Sequence, residues 1–134
     1  MQIQPYLFFE GRAEEAIAFY RSALGAELLT LMRHGENPDG MHGAPGTEQK
    51  VMHAEIRIGE TRILISDGFC AAAAQFQGFG LALNVADEAT AQRHFAALAE
   101  GGEVRMPLGR SFFSAAFGMV ADRFGVLWMV VAPA

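Results

Sequence analysis

The spacing of apolar residues in the first half of the chain changes several times, and each change predicts a new element. Residues 3–9 are apolar and aromatic, which is typical of a strand. Apolar residues then recur at helical spacing over residues 13–24, and Gly25 stands where a left-handed cap would end the helix. Three further strands are predicted in this half: residues 27–33, 51–58 and 61–66.

The second half of the chain repeats this order of elements. Residues 79–85 predict a strand, and Asp87 follows as an N-cap for a helix whose core face is Ala91, Phe95 and Leu98. Gly101 and Gly102 end this helix, and three more strands are predicted after it: residues 103–106, 112–121 and 126–131.

The repeat indicates that the chain contains two copies of one βαβββ module, since one constant shift superposes Phe19 on Phe95 and Gly25 on Gly101. A single module covers one sheet face with its helix and leaves the other face bare. We therefore predict an α+β fold in which paired βαβββ modules form an open, curved mixed sheet with the helices on the outside. The bare faces would line a concave cavity, which is the usual place for a small ligand.

The length of 134 residues suits one domain. We predict a single domain over residues 1–134, with module one at 1–67, a linker at 68–77 and module two at 78–134. Residues 35–50 are rich in glycine and have no apolar period, so they predict a loop that is either a lid or disordered. His34 and His42 lie on or beside this loop, where we expect solvated side chains.

The net charge disfavours some classes of binding partner, and the cysteine content indicates the cellular location. The net charge is −5, and the basic residues are scattered along the chain, which disfavours binding to nucleic acid or to an anionic membrane surface. No apolar segment approaches the length of a membrane span. Because Cys70 is the only cysteine, no internal disulfide can form, and a cytoplasmic location is expected.

Several motifs carry a family resemblance that covers nearly the whole chain. In chain order they are PYLFF at 5–9, AEEAIAFY at 13–20, VMHAE at 51–55, GGEVRMPL at 101–108 and FGMVADRFGVLW at 117–128. This set resembles the PhnB-like proteins of the glyoxalase/bleomycin-resistance (vicinal-oxygen-chelate) superfamily, which are sometimes labelled demethylubiquinone methyltransferase-like. The resemblance implies a glyoxalase-like fold, a small-molecule ligand in the sheet cavity and a homodimer. Phe112 and Phe113 stand where the family usually has Phe-Trp.

The resemblance also implies where a superfamily metal would be held. Those positions correspond here to Pro5, Ser66 or a neighbour, Gly80 and Met129, and none of them offers the usual nitrogen or carboxylate ligand. We therefore predict no metal at these positions and no cofactor. The methyltransferase label has no support in the sequence, because no glycine-rich turn follows a strand with an acidic residue at the distance that nucleoside cofactors require.

Strand alternation places His53 and Glu55 on the inward face of the third strand, opposite Ala54 and Ile56. A His-x-Glu pair can act as a catalytic acid and base or bind a divalent metal, and it can also be a purely structural pair. Whether the protein is an enzyme therefore stays open at this point.

Two functions follow as hypotheses. The first is a metal-independent small-molecule-binding protein, with Tyr6, Phe8, Phe113, Phe117 and Trp128 as ligand-binding residues beside His53 and Glu55. For Trp128, packing under a helix is the alternative. The second is a lyase, isomerase or dioxygenase-type enzyme that uses His53 and Glu55 as catalytic residues, with a divalent metal or as an acid/base pair.

Overall fold

The structure is a computed structural model that describes residues 1–40 and 45–134. The described residues form two compact units, which we call unit 1 (Met1–Ala74) and unit 2 (Gln75–Ala134). The elements of unit 1 are β1 (Tyr6–Phe8), α1 (Ala13–Leu24), β2 (Glu27–Arg33), β3 (Val51–Ile58) and β4 (Thr61–Ser66), with a short 3₁₀ turn at His34–Glu36. Those of unit 2 are β5 (Leu81–Asn84), α2 (Glu88–Ala99), β6 (Glu103–Gly109), β7 (Ser114–Ala121) and β8 (Leu127–Pro133).

Each unit holds one four-stranded mixed sheet. The strand order is β1-β4-β3-β2 in unit 1 and β5-β8-β7-β6 in unit 2. In each sheet the first strand of the module runs parallel to the last, and the other neighbours are antiparallel. The predicted α+β class and the predicted repeat are confirmed, because the two units share one order of elements and one sheet topology.

The helix ends match the signals in the sequence. Gly25 has a φ of 68° and ends α1 in the left-handed conformation, which costs glycine little because it has no Cβ. The Asp87 carboxylate caps α2 by accepting a hydrogen bond from the Thr90 backbone N–H at 2.8 Å, and this bond lowers the pKa of Asp87. Neither helix of the described chain is long and apolar enough to cross a membrane.

Helix α1 covers one face of the unit 1 sheet. The ring of Tyr20 on α1 lies 6.3 Å from the ring of Phe9, and Leu7 on β1 is on the same side. The register places Leu7 beside Ile65 of β4, and Ile65 beside Ala54 of β3. The core on this face is almost free of solvent contact and contains Leu7, Phe9, Ala54, Ile56, Ile63 and Ile65. The other face of this sheet, which α1 does not cover, is called the open face below.

Helix α2 covers one face of the unit 2 sheet in the same way. A Cβ added to Gly118 of β7 would lie only 2.8 Å from the Phe95 ring of α2, so this glycine allows the helix to approach the strand closely. Trp128 of β8 is buried, and its indole N–H donates to the Asp122 carboxylate at 2.9 Å. The packing alternative for Trp128 therefore applies, because the side chain belongs to the core of unit 2.

The buried carboxylate of Asp67 links the start of α1 to the sheet of unit 1 through hydrogen bonds. Asp67 is 1% exposed and follows β4 directly. Its carboxylate accepts hydrogen bonds from the backbone N–H groups of Gly11, Ala13 and Val51, each at 2.8 Å. Asp67 thus connects the start of α1 with the start of β3.

The expectation of a solvated His34 is wrong. His34 is 3% exposed, and its Nε2 donates to the Gly68 carbonyl at 2.9 Å. Its Nδ1 is buried and has no hydrogen-bond partner among the described residues. The 3₁₀ turn at His34–Glu36 directs the side chain inward, which residue type and loop position could not indicate. His42, by contrast, lies outside the described residues.

Candidate functional site

The open face of unit 1 carries a pair of stacked aromatic rings. The rings of Tyr6 and Phe8 have centroids 4.8 Å apart and planes inclined by only 2°. Tyr6 is 39% exposed and Phe8 is 47% exposed, so the stacked pair keeps part of its apolar surface in contact with solvent. We call this pair the aromatic platform.

A hydrogen bond links the aromatic platform to His53. The hydroxyl of Tyr6 lies 2.9 Å from His53 Nδ1, and the two rings are tilted by 58° with centroids 5.8 Å apart. Burial raises the pKa of Tyr6, so the phenol keeps its proton at neutral pH and can donate it. His53 Nε2 has no hydrogen-bond partner in the described parts of the chain.

Sheet topology explains how residues 47 positions apart come together. β1 inserts parallel to β4, and β4 is antiparallel to β3, so Tyr6 lies beside Leu64 and Leu64 beside Glu55. His53 and Glu55 are two positions apart on β3, and alternation places both on the open face. The buried Ala54 between them points toward α1.

Charged side chains surround Glu55. Arg62 of β4 donates to Glu55 at 3.5 Å, and the Glu55 side chain is only 20% exposed. Arg57 lies directly opposite Arg62 in the strand register, and it also donates to Glu27 of β2. Like charges on opposed strands repel, so the carboxylates of Glu27 and Glu55 offset the repulsion between the two guanidinium groups.

The structure brings together four of the predicted site residues within unit 1. Tyr6 contacts both Phe8 and His53, and Glu55 shares their face of the sheet. Phe113 and Phe117 form a separate aromatic pair within unit 2, where their rings meet edge to face at 5.2 Å. Trp128 joins neither group, because it is buried on the side that α2 covers.

The positions that would hold a superfamily metal do not fit one. Pro5 and Gly80 carry no donor side chain, and the thioether of Met129 is a poor ligand for the metals that imidazole and carboxylate bind. Ser66 is buried, and its hydroxyl accepts the Gly68 N–H at 2.9 Å. Within residues 1–40 and 45–134, no three His, Cys, Asp or Glu side chains lie close enough to form another metal site.

Two features of unit 1 were missed in the sequence. The residue types of Tyr6 and His53 were noted, but their hydrogen bond depends on β1 pairing with β4, which alternation alone does not predict. The anchoring role of Asp67 was also missed. Its only signal was an acidic residue directly after an apolar strand, which is more often a solvated turn residue.

Comparison with known proteins identifies relatives along nearly the full chain. The family described as 3-demethylubiquinone-9 3-methyltransferase matches residues 1–131. Protein YjdN from Escherichia coli K12 is 36% identical over 97% of this chain and 94% of its own length.

Solved structures agree with this assignment. Protein PA1353 from Pseudomonas aeruginosa is 41% identical over 99% of this chain and 98% of its own, with a TM-score of 0.87. The PhnB protein from Bacillus cereus is 30% identical, with a TM-score of 0.83 and coverage of 98% and 99%.

A more distant likeness establishes the fold. A glyoxalase/bleomycin resistance protein from Albidiferax ferrireducens is 14% identical, covers 98% of each chain and gives a TM-score of 0.65. The predicted glyoxalase-like fold is therefore confirmed. Because the family's sequence pattern spans residues 1–131 and a relative is 36% identical across the chain, this protein belongs to the PhnB-like family described as 3-demethylubiquinone-9 3-methyltransferase.

Proposed function

We propose that this protein binds a small planar molecule on the open face of unit 1, where the aromatic platform holds the ligand and His53 and Glu55 supply polar contacts. The observation that carries the proposal is the exposed Tyr6–Phe8 stack, which is hydrogen-bonded at one side to His53. Binding a partner that removes large apolar side chains on a sheet surface from water has a favourable free energy.

The polar residues beside the platform support specific binding. Ligand sites are mostly apolar with a few convergent polar groups, and His53 and Glu55 are two such groups on one strand face. Phe113 and Phe117 are proposed as a second ligand-contacting pair, within unit 2, because both remain partly exposed beside one another. Trp128 is not part of the proposed site.

Removal of Phe8 should weaken binding of a planar apolar probe. We expect Phe8→Ala to raise the dissociation constant for naphthalene by about five- to tenfold, because stacked aromatic contacts contribute of the order of 1 kcal/mol. Saturation-transfer NMR titration measures the constant. Phe79→Ala is the matched control, since Phe79 has the same exposed fraction of 47% but lies outside the strands. Equal affinities of both variants and the parent protein would contradict the proposal.

An enzyme that uses His53 and Glu55 is the second candidate function. The observation that favours it is the Tyr6–His53 bond, because a hydrogen-bonded imidazole beside a carboxylate is a common arrangement for proton transfer. Elemental analysis of protein purified without chelator separates the metal-dependent form of this hypothesis from the binding protein. A stoichiometric divalent metal that is lost in His53→Ala would favour the enzyme.

We also propose that residues 1–134 form one domain, with module one at 1–67, a linker at 68–77 and module two at 78–134. We propose that this domain is cytoplasmic and forms a homodimer. Strand β6 is an edge strand, and its Val104 and Met106 are each 45% exposed, so a second chain would protect them. Light scattering at micromolar concentration should give the mass of two chains, and Met106→Lys should reduce it toward one. A single-chain mass for the parent protein would contradict the dimer.

A further inference from the structure

The hydrogen bond between Tyr6 and His53 determines which nitrogen of the imidazole carries the proton. A neutral histidine has one N–H and one lone pair, and the bond of 2.9 Å between Tyr6 Oη and His53 Nδ1 needs one donor and one acceptor. The Tyr6 hydroxyl retains its proton, since burial raises the pKa of this phenol above its usual value of 10.0.

The chemistry of the two groups favours the Tyr6 hydroxyl as the donor in this bond. A phenol is a strong donor and a weak acceptor, whereas the lone pair of a neutral imidazole is a strong acceptor. Donation by Tyr6 pairs the phenol proton with the Nδ1 lone pair in one bond. The imidazole proton must then reside on Nε2, which has no partner in the same part of the chain.

We infer that Tyr6 is a positioning residue that holds His53 in its Nε2–H form, so that the site selects planar ligands carrying a carbonyl-type oxygen acceptor beside the ring. This inference rests on the proposed function and specifies its ligand class. The platform binds the ring, and His53 Nε2–H donates to the oxygen. Imidazole without Tyr6 would exchange between two tautomers and would offer the acceptor a donor only part of the time.

The tautomer can be observed directly without any ligand. Long-range ¹H–¹⁵N NMR of protein labelled at histidine nitrogens, recorded at a pH where imidazole is uncharged, should show His53 with a protonated Nε2 and an unprotonated Nδ1, and His53→Gln identifies the signal by its loss. In Tyr6→Phe, the two nitrogen shifts should move toward each other as both tautomers become populated. An Nδ1–H form in the parent protein, or an unchanged spectrum in Tyr6→Phe, would overturn the inference.

Ligand selectivity is tested with coumarin and naphthalene, which are planar two-ring molecules that differ by the lactone group. The parent protein should bind coumarin about fivefold more tightly than naphthalene, which corresponds to one net hydrogen bond. Tyr6→Phe keeps the ring of the platform but loses the hydroxyl, so the ratio of the naphthalene and coumarin dissociation constants should fall toward one. His53→Ala should abolish the preference, and His53→Gln should restore part of it, since the glutamine amide can donate from near the Nε2 position.

The two proposals fail in different ways. If naphthalene does not bind, or binds with an affinity that Phe8→Ala does not change, the proposed function is wrong. If Phe8→Ala weakens naphthalene binding but the parent protein does not prefer coumarin, the proposed binding site is supported and the inference about His53 is wrong.

Discussion

Asp67→Ala should lower the free energy of unfolding by about 3 to 5 kcal/mol, because three backbone N–H groups, two in buried hydrogen bonds and one in a part-buried hydrogen bond, would lose their acceptor at once. The side chain is 1% exposed, so water cannot take its place without opening the structure. Urea denaturation followed by circular dichroism measures the change. A loss of this size would make Asp67 a principal link between α1, β3 and β4.

Two further substitutions separate the hydrogen bonds of Asp67 from the loss of a charge. Asp67→Asn keeps one acceptor oxygen and the shape of the side chain, so its loss of stability should be smaller than that of the alanine variant. Asp39→Ala removes the same carboxylate from an exposed position and should change the unfolding free energy by less than about 0.5 kcal/mol. If Asp67→Ala unfolds at the same urea concentration as Asp39→Ala, the anchoring role is wrong.

Gly118→Ala should destabilise unit 2 by about 1 to 3 kcal/mol through overpacking. Its new Cβ would lie 2.8 Å from the Phe95 ring and 2.9 Å from the Leu108 Cα. The backbone of Leu108 belongs to the neighbouring strand β6 and cannot rotate away as a side chain could. The helix α2 and strand β6 must therefore both shift, and thermal unfolding should begin at a lower temperature.

Gly109→Ala is the matched control for this overpacking. Gly109 is at the end of β6, and a Cβ there would meet nothing within 4 Å. Its substitution should be neutral or slightly stabilising, because alanine reduces the freedom of the unfolded chain. Combining Gly118→Ala with Phe95→Leu should recover part of the stability by removing the ring contact. Equal stability of the Gly118 and Gly109 variants would contradict the account of how α2 packs.

Where apolar and polar residues alternate regularly, the first and last residues of the strands could be predicted from the sequence. The bounds of β2, β3 and β4 agree with the sequence pattern, because alternation is regular there and glycine or charged residues mark the ends. Strand β1 begins at Tyr6, three residues later than predicted. Ile3 continues the apolar pattern but is 93% exposed, and hydropathy alone cannot distinguish an exposed apolar residue from one that pairs.

For the site, the sequence predicts only which side chains share one face of a strand. Alternation correctly placed His53 and Glu55 together on the face away from Ala54. Which residues meet across strands depends on strand order, so the contact between Tyr6 and His53 required the structure. The burial of His34 was unpredictable for the same reason, because its partner is the Gly68 carbonyl 34 positions away.

Amide chemical-shift mapping with coumarin tests most directly whether a planar ligand occupies the open face of unit 1. We predict saturable shifts at Tyr6, Phe8, His53 and Glu55, with smaller changes at residues of the helix-covered face such as Ala54. Saturable shifts elsewhere, with none at Tyr6 or His53, would contradict the proposal.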